Sequence, residues 1–266
     1  MNENQKAPEV ADVFNASGDA YIENHRLSCE QRKAIEDIRN CRTANLGGHT
    51  THCPTCGIID ISYNSCRNRN CPKCGFQKKI KWLYHRKKDV LPITYYHVVF
   101  TLPEELNPLF LFHPNQKLMY QIFFQSVAKT IELLAKTDKY FCGKPGMIAT
   151  LHTWGQILSF HPHIHCILTG GGLDTSNNTW TFKDEFLFPI KVQTENTVSF
   201  YYKDYRDNKQ KVMTLEHEEF IRRFLQHVVP SGFMRIRYYG ILANPCRKRL
   251  LPVCRMELRR LLSLQG

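Results

Sequence analysis

The stretch Leu151–Gly172, "LHTWGQILSFHPHIHCILTGGG", decides how the chain is read. Its centre, "HPHIHCILT", reads as a buried strand that carries imidazoles at every second position, His161, His163 and His165. Alternate side chains of a strand share a face, so His163 and His165 point one way and Ile164 points into a core. Two imidazoles at adjacent same-face positions can hold one divalent ion. His152 lies on the preceding apolar segment. If 147–158 and 161–170 pair antiparallel, His152 approaches His163 or His165 as a third ligand. Neutral imidazoles suit Mn²⁺ or a transition metal better than Mg²⁺. A site of this kind still accepts Mg²⁺ when substrate phosphate completes the shell.

Working outward, the 266 residues suffice for one large domain or two smaller ones. Lys plus Arg number 36 and Asp plus Glu 24, a net of +12, which points to a polyanion, nucleic acid before membrane. The charge is concentrated. Nine Lys or Arg and no acid lie between Arg67 and Lys88, and ten against one acid between Arg222 and Arg260. No apolar run approaches the roughly 18–20 residues that span a bilayer. "MNENQKAPEVADVF" has no apolar leader, so a cytosolic protein is expected.

Seven of the eleven cysteines crowd between Cys29 and Cys74, which in a cytosolic chain signals metal rather than disulfides. Cys53, Cys56, Cys71 and Cys74 form C-x2-C-x14-C-x2-C. Each pair turns tightly and aims two thiolates at one point, and two such knuckles complete a tetrahedral S4 zinc site. Gly57 and Gly75 follow the pairs, where a knuckle can use positive φ. Cys41, His49 and Cys66 lie in the same stretch, either as a second site with Cys29 or His52, or as buried thiols. Arg67, Arg69 and Lys73 on the final knuckle suit a phosphate backbone, as do Lys78, Lys79 and Lys81 on the helix after it.

The expected class is α+β. Residues 1–11 read as a tail, 12–92 as a zinc-ribbon-like DNA-recognition domain, and 93–266 as a second domain. Ser28 and Gln31 form a capping box for a helix over 28–43. "IIDISYN" (58–64) reads as a short hairpin, 76–91 as a basic helix and 94–103 as a strand. A long helix is expected from about Asn115, two strands over 146–171, a hairpin over 197–215 and a helix over 216–230. "GFMRIRYYG" reads as a strand, and the end of the chain as a basic tail.

His163-Ile164-His165 matches the His-hydrophobic-His signature of HUH endonucleases. "CRTANLGGH", "SCRNRNCPKC", "YYHVVFTLP", "LHTWGQILSFHPHIHCILTGGG", "YKDYRDNKQKVMTL" and "EFIRRFLQHVVPSGFMRIRYYGILAN" resemble, in order, the rolling-circle transposases of the IS91 and ISCR group, from about Asp12 to Leu262. The resemblance implies an antiparallel HUH palm with helices against it and a zinc module that recognises an element end. It also implies a bacterial, nucleoid-associated DNA partner, cut as a single strand. His163 and His165, with His152 third, would hold Mg²⁺ or Mn²⁺ against the scissile phosphate, and His97 would lie near. A tyrosine would attack and store the bond as a 5′-phosphotyrosine. Arg235 and Arg237, in "RIRYYG", join the DNA-binding set.

One segment departs from that pattern. The family carries a helix with one or two tyrosines between the histidine strand and "YKDYR", whereas here "FLFPIKVQ" runs almost directly into "TENTVSF", a shortening near 190–197. Tyr201 and Tyr205 are the substitute nucleophiles on offer, but they sit in a strand-like segment with Tyr202, and Tyr238 and Tyr239 belong to another motif. Packing or DNA stacking accounts for all five. The expectation is a transposase relative that binds DNA and metal, with cleavage impaired or lost. A zinc-ribbon transcription or RNA-binding protein would leave the histidine strand unexplained. A metallohydrolase would lack an acidic partner, since Asp174 follows a glycine turn.

Overall fold

The computed structural model describes residues 9–111, 115–136, 143–155, 158–182, 201–204, 209–212 and 217–263. They divide into two compact units, 9–86 with 217–231, and the described residues of 87–212 with 232–263.

In the first unit α1 (Val10–Asn24) opens with a capping box between Glu9 and Asp12, and α2 (Cys29–Arg39) with one between Ser28 and Gln31. Reciprocal side-chain bonds of this kind satisfy amide groups that a helix start leaves bare. The buried faces repeat at helical spacing, Phe14, Gly18 and Tyr21 on α1 and Ala34, Ile35 and Ile38 on α2. Arg39 closes the far side with a two-pronged bond to Asp19, at 2.6 and 2.8 Å. A hairpin of β1 (Gly48–His52) and β2 (Ile59–Tyr63) follows, then the basic α3 (Pro72–Lys87). "IIDISYN" is therefore one strand of a hairpin, not a hairpin by itself; its partner is "GHTTH", whose polar run gives no apolar alternation to read.

The second unit adds β3 (Tyr95–Thr101), α4 (Asn107–Leu111), α5 (Gln116–Ala135), β4 (Gly146–Trp154) and β5 (Phe160–Thr169). Two small hairpins follow, β6 (Gly171–Asp174) with β7 (Thr179–Phe182) and β8 (Tyr201–Asp204) with β9 (Lys209–Val212). Next comes α6 (His217–Gln226), which packs in the first unit. Its Ile221 and Leu225 join Phe14, Tyr21 and Ile35 in one core, and Gln31 Nε2 donates to the Leu225 carbonyl at 3.1 Å. The chain ends in β10 (Ile236–Gly240) and α7 (Asn244–Ser263).

The main sheet is antiparallel throughout, in the order β10-β4-β5-β3. Its register assigns side chains to two faces. One face buries Met147, Ala149 and Leu151 of β4 with Ile164, Cys166 and Leu168 of β5. The apolar stripe of α5 (Tyr120, Phe123, Phe124, Val127, Ile131) covers this face, and Arg237 of β10 sets its guanidinium 4.3 Å from the Phe124 ring. The opposite face is covered at one end by α7, where Ile148 packs on the cluster holding Leu250, Leu251, Cys254 and Leu258. The other end of that face carries the histidines.

The basic end is thus α7 rather than a tail. Its burial overrides both its charge and Pro252, whose ring costs an interior helix position about 3 kcal/mol. Gly240 makes the turn into α7 at φ +63°, where a Cβ would lie 1.6 Å from the Pro145 carbonyl oxygen. No described helix is long and apolar enough to cross a membrane.

The two-faced sheet makes a direct prediction. Ile164 is fully buried and Ile167, three residues on, is 43% exposed on the other face. Ile164→Ala should lower unfolding stability by about 2–5 kcal/mol and Ile167→Ala by under about 1 kcal/mol in urea titrations. Equal losses would contradict the face assignment.

Candidate metal centres

The histidine centre follows from pairing. His152 lies directly opposite His163, and Thr150 opposite His165, so the three imidazoles share one face of two neighbouring strands. Their nearest nitrogens all lie within 4.8 Å of one another. Ring centroids are 4.4 Å apart for His152 and His165, and 4.8 Å for His163 and His165. No Asp or Glu joins this group among the described residues.

Two hydrogen bonds aim the rings. His163 Nδ1 lies 2.7 Å from the His161 carbonyl oxygen, so it donates there and leaves the Nε2 lone pair free. His165 Nδ1 lies 2.8 Å from His97 Nε2. For His165 to offer Nε2 to a metal, its Nδ1–H must donate to His97, which is then neutral and protonated on its own Nδ1. His97 is thus a positioning residue, stacked on His165 at 5.0 Å. Trp154 stacks on His152 at 5.1 Å and walls the end of the site.

Burial, then the neighbouring imidazoles, push His152 down to about 3, with Arg235 adding to the effect. Burial and the neighbours His163 and His97 lower His165 to about 4, and burial lowers His163 as well. All three therefore stand neutral at physiological pH, the form that binds metal. The donor set of three aligned nitrogens fits a divalent ion, Mn²⁺ better than Mg²⁺ by ligand type.

The second centre lies in the first unit. Cys41, Cys66, Cys71 and Cys74 converge, with thiol sulfurs within 4.8 Å of one another. Cys74 Sγ is 3.7 Å from Cys41 Sγ and 3.6 Å from Cys66 Sγ. Zinc–sulfur bonds of about 2.3 Å give a tetrahedron with edges of about 3.8 Å, so these spacings fit a structural zinc and not disulfides, whose sulfurs sit at about 2.05 Å. Burial raises the Cys71 thiol to about 11 and the Cys66 thiol further, and a bound metal would displace those protons.

This grouping differs from the one that the C-x2-C spacing suggests. Cys71 and Cys74 keep their place, but Cys53 and Cys56 sit at the tip of the β1–β2 hairpin. Five strand residues carry that tip roughly 16 Å from the hairpin base, where Cys41 and Cys66 flank the two strands. The residues after those two, Arg42 and Arg67, take positive φ of 61° and 56°, which turns the chain and leaves each thiol facing inward. The repeated Cys-Arg, in "CRT" and "CRN", was the signal available in the sequence. Cys29 is exposed at the start of α2, and His49 and His52 are exposed on β1.

The basic residues divide. Arg67, Arg69, Lys78, Lys79 and Lys81 are exposed, with Lys78 Nζ also donating to the Arg67 carbonyl at 2.7 Å. Lys73 is paired with Glu9 at 2.6 Å. Arg237 lies on the aromatic face of the sheet, away from the histidines, and the charge of Arg235 acts on both Tyr120 of α5 and His152. Tyr201 lies on β8; Tyr205 lies outside the described residues. Tyr238 pairs with Ile148, four residues along β4 from His152 and so roughly 13 Å away, under the Arg247 guanidinium.

A family model described as a transposase zinc-binding domain matches residues 13–102, and one described as a putative transposase matches 146–196 and 190–249. The two centres thus belong to the class of insertion-sequence transposases with a zinc-binding domain. A putative transposase, y4qJ, of Sinorhizobium fredii is 33% identical over 337 residues, covering 94% of this chain and 84% of that protein. The transposase for insertion sequence element IS801 of Pseudomonas savastanoi pv. phaseolicola is 23% identical over 301 residues, covering 83% of this chain and 72% of that protein. The chain belongs to the IS91 family of rolling-circle transposases. No solved structure matches it.

Two measurements check the centres. Cys41→Ser or Cys66→Ser should remove one zinc per chain and lower the thermal transition of the first unit; unchanged metal content would rule this set out. For the histidines, a folded pKa below the unfolded 6.5 means that the unfolded chain takes up protons first on acidification. Stability should therefore fall from about pH 6.5 toward the folded values of about 4 for His165 and about 3 for His152. In metal-free protein His152→Gln should remove about 2 kcal/mol of that loss at pH 5, read as the difference between urea titrations at pH 7 and pH 5.

Proposed function

We propose that this transposase grips single-stranded DNA at the ends of its element and seats a phosphate against a divalent ion at His152, His163 and His165, on a sheet of the HUH type, with strand cleavage impaired. The observation that carries the reading is the convergence of three neutral imidazoles, two of them aimed by Nδ1 hydrogen bonds, on one face of the sheet. Mg²⁺ or Mn²⁺ bound there would draw charge from the non-bridging oxygens of the phosphate. The chain's own share is orientation. The His161 carbonyl and His97 fix two rings, and Trp154 walls the site. Arg67, Arg69, Lys79 and Lys81 offer exposed charge for the backbone, with the zinc unit reading the element end.

Cleavage needs a tyrosine oxygen to bond to phosphorus while the P–O3′ bond breaks and the 3′ oxygen leaves as a hydroxyl. No tyrosine stands between His165 and Tyr201. The alignment to the Sinorhizobium relative runs over 337 residues, more than the 266 of this chain, so it closes only with gaps here. The putative-transposase model is matched in two pieces that meet at 190–196, outside the described residues. The first supports gaps somewhere in this chain, and the second supports a shortening near 190–196.

The test is a labelled single-stranded element end with Mn²⁺ on a denaturing gel. We expect retarded complexes on native gels and no covalent adduct; an adduct abolished by Tyr201→Phe or Tyr205→Phe would overturn the impairment. Manganese titration should show one site lost in His163→Ala/His165→Ala and weakened about 10–100-fold in His97→Ala, with DNA retention kept.

A further inference from the structure

The hairpin tip repeats the knuckle of the four-thiol cluster but stands apart from it. In the cluster, Gly75 N–H donates to the Cys71 carbonyl at 2.8 Å, and the Cys74 amide bonds to the Cys71 thiol. At the tip, Gly57 N–H donates to the Cys53 carbonyl at 3.0 Å, and the Cys56 and Thr55 amides bond to the Cys53 thiol. Gly57 takes φ +70°, which folds the turn back into β2. The two turns share these hydrogen bonds but leave differently: Gly57 returns the chain to β2, whereas Gly75 lies within α3 and takes no positive φ. Cys56 is exposed, Cys53 half-buried, and neither belongs to a group of three or more metal-ligating residues among the described residues. His49 and His52 lie three apart on β1 and so point to opposite faces of the strand.

The surface around the tip is also unusual. Both faces of the hairpin are open to solvent, leaving Ile58 66%, Ile59 65% and Ile61 55% exposed. Two-stranded hairpins without a covered face are marginal in water. In a chain of net charge +12, residues 48–63 hold no Lys or Arg and one acid, Asp60, so this surface does not suit a phosphate backbone. It suits an apolar, uncharged partner that brings two more soft ligands.

We propose that Cys53 and Cys56 are half of a zinc site completed by the same pair of a second copy of this chain, with Ile58, Ile59 and Ile61 covered in the joint. A twofold axis through the metal would supply four thiolates from two identical knuckles, the isologous arrangement that a self-complementary patch favours. This rests on the assignment of the structural zinc to Cys41, Cys66, Cys71 and Cys74, which leaves the tip pair unused.

The experiment uses the full reduced chain, with zinc titration, light scattering and metal analysis. Zinc should double the 31.2 kDa mass and chelator should reverse it. Cys53→Ser/Cys56→Ser should stay monomeric, keep its thermal transition, and hold half a zinc per chain less than the parent, a difference that cancels any ion on the histidines. Ile59→Lys should weaken the dimer at least tenfold with both thiols present. A monomer at saturating zinc would overturn the proposal, as would a difference of one whole ion per chain, which means closure within one chain. Loss of the thermal transition in Cys53→Ser/Cys56→Ser, with Cys41→Ser/Cys66→Ser still folded and zinc-loaded, would overturn the structural-zinc assignment instead.

Discussion

Everything at the histidine centre depends on one register, His152 opposite His163. A slip of one residue would turn His163 and His165 inward and expose Ile164, because side chains alternate strictly along a strand. The apolar face forbids it. Met147, Leu151, Ile164 and Leu168 are buried on that face, at roughly 1.5–3 kcal/mol each. Together they rival a domain's whole net stability of about 5–15 kcal/mol. The histidine face is thus held in place by the hydrophobic effect on the opposite face, and no bond among the histidines has to supply that energy.

The first unit solves a different problem. Its helical core draws on α1, α2 and α6, and that core does not extend under the hairpin. What fixes the hairpin base is the thiol cluster, together with backbone bonds such as Arg42 N–H to the Asn64 carbonyl at 3.1 Å. A metal there would stand in for a hydrophobic layer, and the left-handed strain at Arg42 and Arg67 is the conformational cost of turning two thiols toward one point.

What the sequence disclosed follows the range of each signal. The histidine face needed only local alternation plus one antiparallel pairing, and the Ser28–Gln31 cap needed four residues. The long helix beginning near Asn115 and the hairpin of β8 and β9 were also local patterns. Three features were not legible. The thiol partners are chosen by the length of a hairpin: the C-x2-C spacing pairs Cys71 and Cys74 with Cys53 and Cys56, whereas the fold brings them together with Cys41 and Cys66. Residues 244–263 hid their apolar stripe (Leu250, Leu251, Cys254, Leu258) among arginines and behind Pro252. And α6, amphipathic by pattern, carries no mark of which unit its face will join.

Gripping DNA and cutting it draw on different residues. In the proposed function, exposed cations on the final knuckle and α3 would act through the phosphate backbone at any position along a strand, so their contribution would not depend on the register of one scissile bond. The histidine centre needs a phosphate at a single place, but it is assembled by β4 and β5 and does not require the segment near 190–197 to exist. Only the attack on phosphorus requires a third party, a tyrosine oxygen in line with the bond to be broken. A loss of the segment that would carry it is compatible with the sheet, its register, the neutral imidazoles and the basic surface described above. On the proposed function, such a chain would keep the affinity of a transposase without its chemistry, and on an element end it would stand where an intact copy must bind.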